Sequence, residues 1–240
     1  MLPSIPILFL LAIILSSTIA APAPGAFNPS TTIPDITIQQ LLAAAPTICT
    51  AVTEECHPAV DAIKEINTAF AHYRLKTLGQ KAALLGLMTL ESGNFTYNVN
   101  HFPGRPGQGT KAMLMFPHIY DYALSQPALR VEVLRISNGT ALNVTIDNTD
   151  KIPVADQKAI RALVLPEKYT YAAAMWYLWN KCQASMVMKL AEGGFEAFRE
   201  YIRDCIDAGD VTSGSDRLKR WCSAVKAMKP EGMGMPEQCS

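Results

Sequence analysis

Residues 80–90 read QKAALLGLMTL, apolar at nearly every position and uninterrupted by proline. Helix propensity and burial agree there, and a segment apolar nearly all round predicts the central helix of a core. Elsewhere the apolar pattern predicts further helices at 38–45, 58–75, 118–124, 127–136, 155–163, 170–191, 195–208 and 215–228. Pro127 suits the first position of its helix, and Gly209 the position just past another. Alternating β-branched residues occur at 142–146 (LNVTI), which reads as a short strand or an exposed loop. No internal repeat is present, and the expectation is an all-α (mainly α) fold.

The ends of the chain differ from this middle. An apolar run at 5–15 is followed by Ser16-Ser17-Thr18-Ile19-Ala20, the pattern of a signal peptide over 1–20 with cleavage after Ala20. No Lys or Arg precedes Lys64, so its n-region carries only the amino terminus, and the run is short for a membrane span. Residues 21–36, rich in Pro, Ala and Thr, read as an extended arm. The helical domain then occupies 37–228, and 229–240 form an aperiodic tail held by Cys239.

A chain of 240 residues suits one domain with a sizeable core. Its 21 basic and 21 acidic residues balance, with no basic run, which argues against nucleic acid as a partner. No cofactor is expected. Six cysteines, at 49, 56, 182, 205, 222 and 239, make an even count in a chain read as secreted, so three disulfides are expected. Cys49 with Cys56 is the local pair, while Cys182, Cys205, Cys222 and Cys239 would staple the C-terminal helices in a pairing left open. A zinc site on Cys49, Cys56 and His57 is the alternative, without a Cys-x-x-Cys to support it. Sequons at Asn94, Asn138 and Asn143 agree with export to the extracellular space. A glycan on Asn94 would crowd anything bound near Glu91.

Glu91 is the candidate with chemistry. The apolar helix runs into Glu91-Ser92-Gly93, and Gly93 suits the residue that ends it. Glu91 then lies in the last turn, at the negative end of the helix dipole and among apolar neighbours, both of which oppose ionisation. A carboxyl kept protonated in this way serves as a general acid, as in glycoside hydrolysis. The ordinary alternative is a surface Glu held by a basic neighbour or by solvent.

Glu91-Ser92-Gly93 after an apolar helix, with Phe95 and Asn98 following, resembles the first motif of the lysozyme-like superfamily, particularly soluble lytic transglycosylases and goose-type lysozymes. Residues 109–117 (GTKAMLMFP) are similar to the second motif, with Met113 in the Met position and Leu114 where a Gln is expected. Residues 169–180 (YTYAAAMWYLWN) are a looser counterpart of the third, an aromatic-Asn element with Tyr171, Tyr177 and Asn180 as candidates. The stretch 98–109 (NVNHFPGRPGQG) also resembles a group of secreted fungal proteins that share the pattern, over most of the chain. The resemblance implies a disulfide-bearing lysozyme-like helical domain in which Glu91 acts alone as acid and then base while the substrate's acetamido group assists. It implies as partner a cell-wall polysaccharide of β-1,4-linked N-acetylhexosamine, peptidoglycan first and chitin second, and no membrane insertion after cleavage of the leader. The protein is expected to be a monomer.

Around Glu91, the substrate-binding candidates are Ser92, Gly93, His101, Gln108, Met113, Tyr171 and Tyr177. His118 and Arg105 flank the same polar loop. Trp176 and Trp179 lie in an Ala-rich helix, where packing is favoured over sugar stacking. Trp221, beside Cys222, is expected to pack against a disulfide. A conventional glycosidase would need a second carboxylate, for which Asp121, Asp147, Asp150 and Asp156 are candidates. The alternative function is a carbohydrate-binding or effector protein that keeps the scaffold without turnover, favoured by Leu114 and by the sequon at Asn94.

Overall fold

A computed structural model describes residues 25–50, 54–139 and 142–240. The expected leader, 1–20, lies outside the described residues, as do the arm's first residues, 21–24. The described residues are mainly helical, and β-pairing among them is confined to three isolated bridges.

The helices are α1 (Ile38–Ala44), α2 (Ala59–His72), α3 (Leu78–Glu91), α4 (Phe116–Ser125), α5 (Pro127–Ile136), α6 (Val154–Leu163), α7 (Glu167–Thr170), α8 (Ala172–Asn180), α9 (Ala184–Glu192), α10 (Gly194–Glu200) and α11 (Asp216–Met228). The centre is α3, every residue of which from Leu78 to Thr89 is buried. It starts two residues before the apolar run because Thr77 caps it. Gln80 N donates to Thr77 Oγ1 at 3.4 Å, and Gln80 Oε1 accepts from Thr77 N at 3.2 Å. The Gln80 amide also donates to Val187 O of α9 at 3.0 Å, so a polar residue in the core is fully engaged.

Two features bring α11 alongside α3. Gly86 has no side chain where a Cβ would stand 3.0 Å from Trp221 Cα, which permits close backbone approach. Trp221 is 1% exposed and stacks on Phe198 of α10, with ring centroids 5.4 Å apart. The arm closes the same region. Gly79 N donates to Pro29 O, Leu78 N to Thr31 O, and the buried Lys81 Nζ to Pro34 O, each at 2.9 Å. From Pro29 onward the arm is therefore part of the core package, with Ile33 and Ile36 buried.

Several elements differ from the sequence expectation. The helix expected over 170–191 is broken at 181–183, where Cys182 is tied to Cys205. The one expected over 195–208 ends at Glu200 and continues as a single π turn, Tyr201–Cys205. Residues 142–146 form no strand. A 3-10 turn starts at Ile146, nucleated where Thr145 N donates to Asn148 Oδ1 at 2.8 Å and Asn148 Nδ2 to Asn143 O at 2.8 Å.

Three disulfides join Cys49 to Cys56, Cys182 to Cys205 and Cys222 to Cys239. With their sulfurs bonded to each other, Cys49 and Cys56 leave no thiolate for the alternative zinc site. Cys239 does hold the tail, by anchoring it to α11. No helix among the described residues is long and apolar enough to cross a membrane.

Candidate functional site

The last turn of α3 presents Glu91, and the chain closes behind it in a Schellman turn. Gly93, at φ +58°, donates to Leu90 O at 3.2 Å, and Asn94 N to Thr89 O at 2.7 Å. Ser92 completes the closure. Its hydroxyl donates to Met88 O at 2.6 Å and accepts from Phe95 N at 2.9 Å, and the residue is fully buried. Ser92 therefore terminates a helix and does not reach a substrate, contrary to expectation. Gly93 likewise serves the turn, facing the ring of Tyr97.

The polar loop after the turn is organised by two buried or half-buried charges that the sequence did not single out. Lys111, with no exposed surface, donates through Nζ to Phe95 O at 2.8 Å, Glu55 O at 2.9 Å and Tyr97 O at 3.3 Å. Burial pulls its ammonium down to about 7, against the carboxylates of Glu55 and Glu167. Glu55 accepts from Asn98 N at 2.6 Å and Val99 N at 3.0 Å, and pairs with His101 Nε2 at 2.7 Å. Burial pushes the Glu55 carboxyl up, but these donors outweigh it and hold it below the ordinary value. His101 is thus occupied in bracing the loop. It does not line the cleft at Glu91.

That cleft has a volume of about 280 Å³. It is lined by Glu91 and Arg217, by Gln108, Met113 and Leu114 from the loop, and by His118, Tyr177 and Tyr201. Gln108, Met113 and Tyr177 are accordingly brought together with Glu91 on one lining. Tyr171 is not: it is fully buried against Phe95, ring centroids 5.5 Å apart. Asn180 turns back on its own helix, donating to Trp176 O at 2.8 Å. Trp176 is in the core against Tyr122, whereas Trp179 is 47% exposed on another face, where its Nε1 donates to Tyr73 O at 3.0 Å.

Three buried polar atoms on this lining have no hydrogen-bond partner: Gln108 Oε1, His118 Nδ1 and Tyr201 OH. All three atoms are enclosed by the protein, and each costs roughly 1–3 kcal/mol if left unpaired. Burial and the Lys181 cation keep His118 below its ordinary pKa despite Asp121, which leaves a neutral imidazole. Its ring meets Tyr177 edge-on, centroids 4.9 Å apart. Burial and the charges of Tyr177 and Glu91 push the Tyr201 phenol far up, so it remains a donor.

The immediate surroundings of Glu91 differ from the apolar ones expected. Arg217 Nη1 of α11 lies 3.1 Å from Glu91 Oε1. This is the basic neighbour of the ordinary alternative, and no local signal marks it, since 126 residues separate the partners. Asn94 is also otherwise engaged. Its Nδ2 donates to Thr47 Oγ1, its Oδ1 accepts from Arg220 Nη1 at 2.6 Å, and it is 5% exposed. The nitrogen that a glycan would join is thus taken up inside the fold, where Asn94 ties the end of α3 to Thr47 and to α11. Asn138 and Asn143 are exposed; Thr140, the third residue of the first of these sequons, lies outside the described residues.

Of the proposed second carboxylates, Asp121 is bound to Lys181 at 2.6 Å, and Asp156 lines a separate hollow. Asp147 and Asp150 line a depression adjoining the cleft. Among the described residues, Glu91 is the one carboxylate on the cleft lining itself.

Over 143 residues, 59% of its length, the chain is 31% identical to a Fusarium oxysporum protein named bifunctional dioxygenase (DOX)-epoxy alcohol synthase (EAS). The match covers 10% of that relative, so the chain spans about a tenth of its length. No family model matches the chain, and no solved structure matches it at the same stringency.

Proposed function

We propose that the protein is a secreted, lysozyme-like glycoside hydrolase or lytic transglycosylase that cleaves β-1,4-linked N-acetylhexosamine polymers, peptidoglycan first and chitin second. The observation that carries this reading is the position of Glu91, the one carboxylate among the described residues on a cleft also lined by Gln108, the neutral imidazole of His118 and the phenols of Tyr177 and Tyr201. Glu91 would protonate the glycosidic oxygen and then, as carboxylate, take a proton from water or from the sugar's own hydroxyl. The substrate's acetamido group would support the developing charge in place of a second carboxylate. For this, substrate entry must separate Glu91 from Arg217. Export is supported by the three disulfides, the leader-like segment and the exposed Asn138 and Asn143. The activities named for the Fusarium relative belong to a chain of which the match is a tenth, and this reading does not draw on them.

Two observations favour a second reading, a glycan-binding or effector protein without turnover. Arg217 already engages Glu91 at 3.1 Å, and Leu114 places an alkyl group where the related motif has an amide. Loss of turbidity of bacterial cell walls and release of soluble chitin fragments, measured for the wild type and Glu91→Gln, separate the two. The enzyme reading expects Glu91→Gln to lower the rate about a hundredfold or more while the oligosaccharide still binds. Equal inertness of both proteins on both polymers, with binding retained, leaves the second reading.

A further inference from the structure

Arg217 holds Glu91 by one contact. Its Nη1 donates to Glu91 Oε1 at 3.1 Å, a single nitrogen on a single oxygen, and among the described residues neither side chain makes another hydrogen bond. A guanidinium presents five N–H groups and pairs with a carboxylate most strongly through two parallel bonds, so most of the Arg217 donors have no protein acceptor. The side chains are 25% and 26% exposed, and both line the cleft, so a ligand there can reach the pair. Charge on this lining is unbalanced. Arg105 is the second guanidinium, and among the described residues it forms no ion pair; its Nη1 lies 3.4 Å from Met115 Sδ, a weak acceptor. Asp147 and Asp150 belong to the adjoining depression, which Arg105 also borders, and neither is bound to it. Glu91 is thus one carboxylate against two cations on the lining, where burial and the Lys181 cation keep His118 neutral. An anion balances such a lining, whereas a neutral glycan has only hydroxyl and amide oxygens to offer Arg217 in place of the Glu91 carboxylate.

We propose that Arg217 determines specificity by exchange: a carboxylate on the bound sugar takes its guanidinium through two bonds, and Glu91 is released. The inference rests on the glycan reading of the cleft and supplies the event that reading requires, the separation of Glu91 from Arg217. Arg105 adds attraction for the same anion from the loop. An uncharged strand such as chitin cannot make the exchange, so the preferred strand is anionic. Two sources offer the required chemistry: the lactyl ether of a hexosamine, and the ring carboxylate of a uronic acid.

Titration calorimetry on the full chain at pH 7 and low salt tests this, with sulfur-linked tetrasaccharides that resist cleavage. One pair of ligands alternates N-acetylglucosamine with N-acetylmuramic acid and the other alternates it with glucuronic acid, each as the free acid and as its neutral methyl amide. In at least one pair the free acid should bind Glu91→Gln about tenfold tighter than the amide, and the wild type only about threefold tighter, because there the ligand must first displace Glu91. The pair that shows the margin identifies the source. Arg217→Gln should erase the margin. If that variant fails to fold, the widening from wild type to Glu91→Gln remains the test, since it leaves the guanidinium in place. Equal affinity within both pairs, a margin that survives Arg217→Gln, or one no wider in Glu91→Gln than in the wild type overturns the exchange, while binding of the amides keeps the glycan reading. Absence of binding by every ligand overturns both.

Discussion

Lys111 shows what a single buried side chain does for the loop that forms half the cleft. Its Nζ reaches the carbonyls of Glu55, Phe95 and Tyr97. Lys111→Met would leave those acceptors unpaired at roughly 1–3 kcal/mol each. Urea unfolding at pH 7 should register a net loss of about 3 kcal/mol or more. Titration adds a second signature. The folded-state value of about 7 lies below that of an unfolded Lys, about 10.4. Between those values the unfolded chain binds the extra proton, so the Lys111 contribution makes stability rise with pH; below about 7 both states are charged and the contribution is flat. From pH 7 to pH 9 the wild type should gain about 2 kcal/mol on the Met variant, near the limit of 1.36 kcal/mol per pH unit. A stability difference that stays constant with pH would show that the ammonium keeps its proton throughout.

Among the elements, α3 and α11 decide whether Glu91 meets Arg217, and Gly86 decides how closely they lie. Gly86→Val would drive a side chain against the backbone at Trp221. The expected cost is about 1–3 kcal/mol of stability, read as a lower midpoint in urea with a shift in tryptophan emission. On the proposed glycan reading affinity should fall with it, since Arg217 is one turn from the displaced contact; an unchanged midpoint would mean that α11 can slide without loss. The course of α3 is legible in the sequence, because local apolar density, Thr77 and Gly93 all act within a few residues. The break at 181–183 is not, because its cause, the tie from Cys182 to Cys205, is remote in the chain. Residues 142–146 were misread for a different reason. Their β-branched pattern is real, but Asn148 offers the backbone a stronger local partner than any neighbouring strand. At the site, Glu91, Gln108, Met113 and Tyr177 were legible from motif and loop. Arg217 and Tyr201 were not, because an amphipathic helix carries no mark of which charged or aromatic residue will face a cleft formed by distant segments.

Across the molecule, the disulfide from Cys182 to Cys205 links the helical framework to the cleft. Tyr177 OH donates to Cys205 O at 3.3 Å, and Ile206 and Ala208, just beyond, form part of the wall. The bond closes a segment of 23 residues, and its loss through Cys182→Ser with Cys205→Ser should cost about 3 kcal/mol by chain entropy. On the proposed glycan reading, oligosaccharide affinity should drop further than in a Cys222→Ser with Cys239→Ser variant, whose bond pins the tail to α11. Equal losses in the two variants would show that the wall holds without its tie. The consequence of that tie is one of timing. Glu91 is set by α3 as soon as the helix packs, but the wall facing it is secured only once the thiols are oxidised. In the reduced chain Glu91 keeps its place at the end of α3, while Ile206, Ala208 and the carbonyl that receives the Tyr177 hydroxyl lose the tie that fixes their segment to the end of α8, so oxidation completes one side of the cleft and leaves the other untouched.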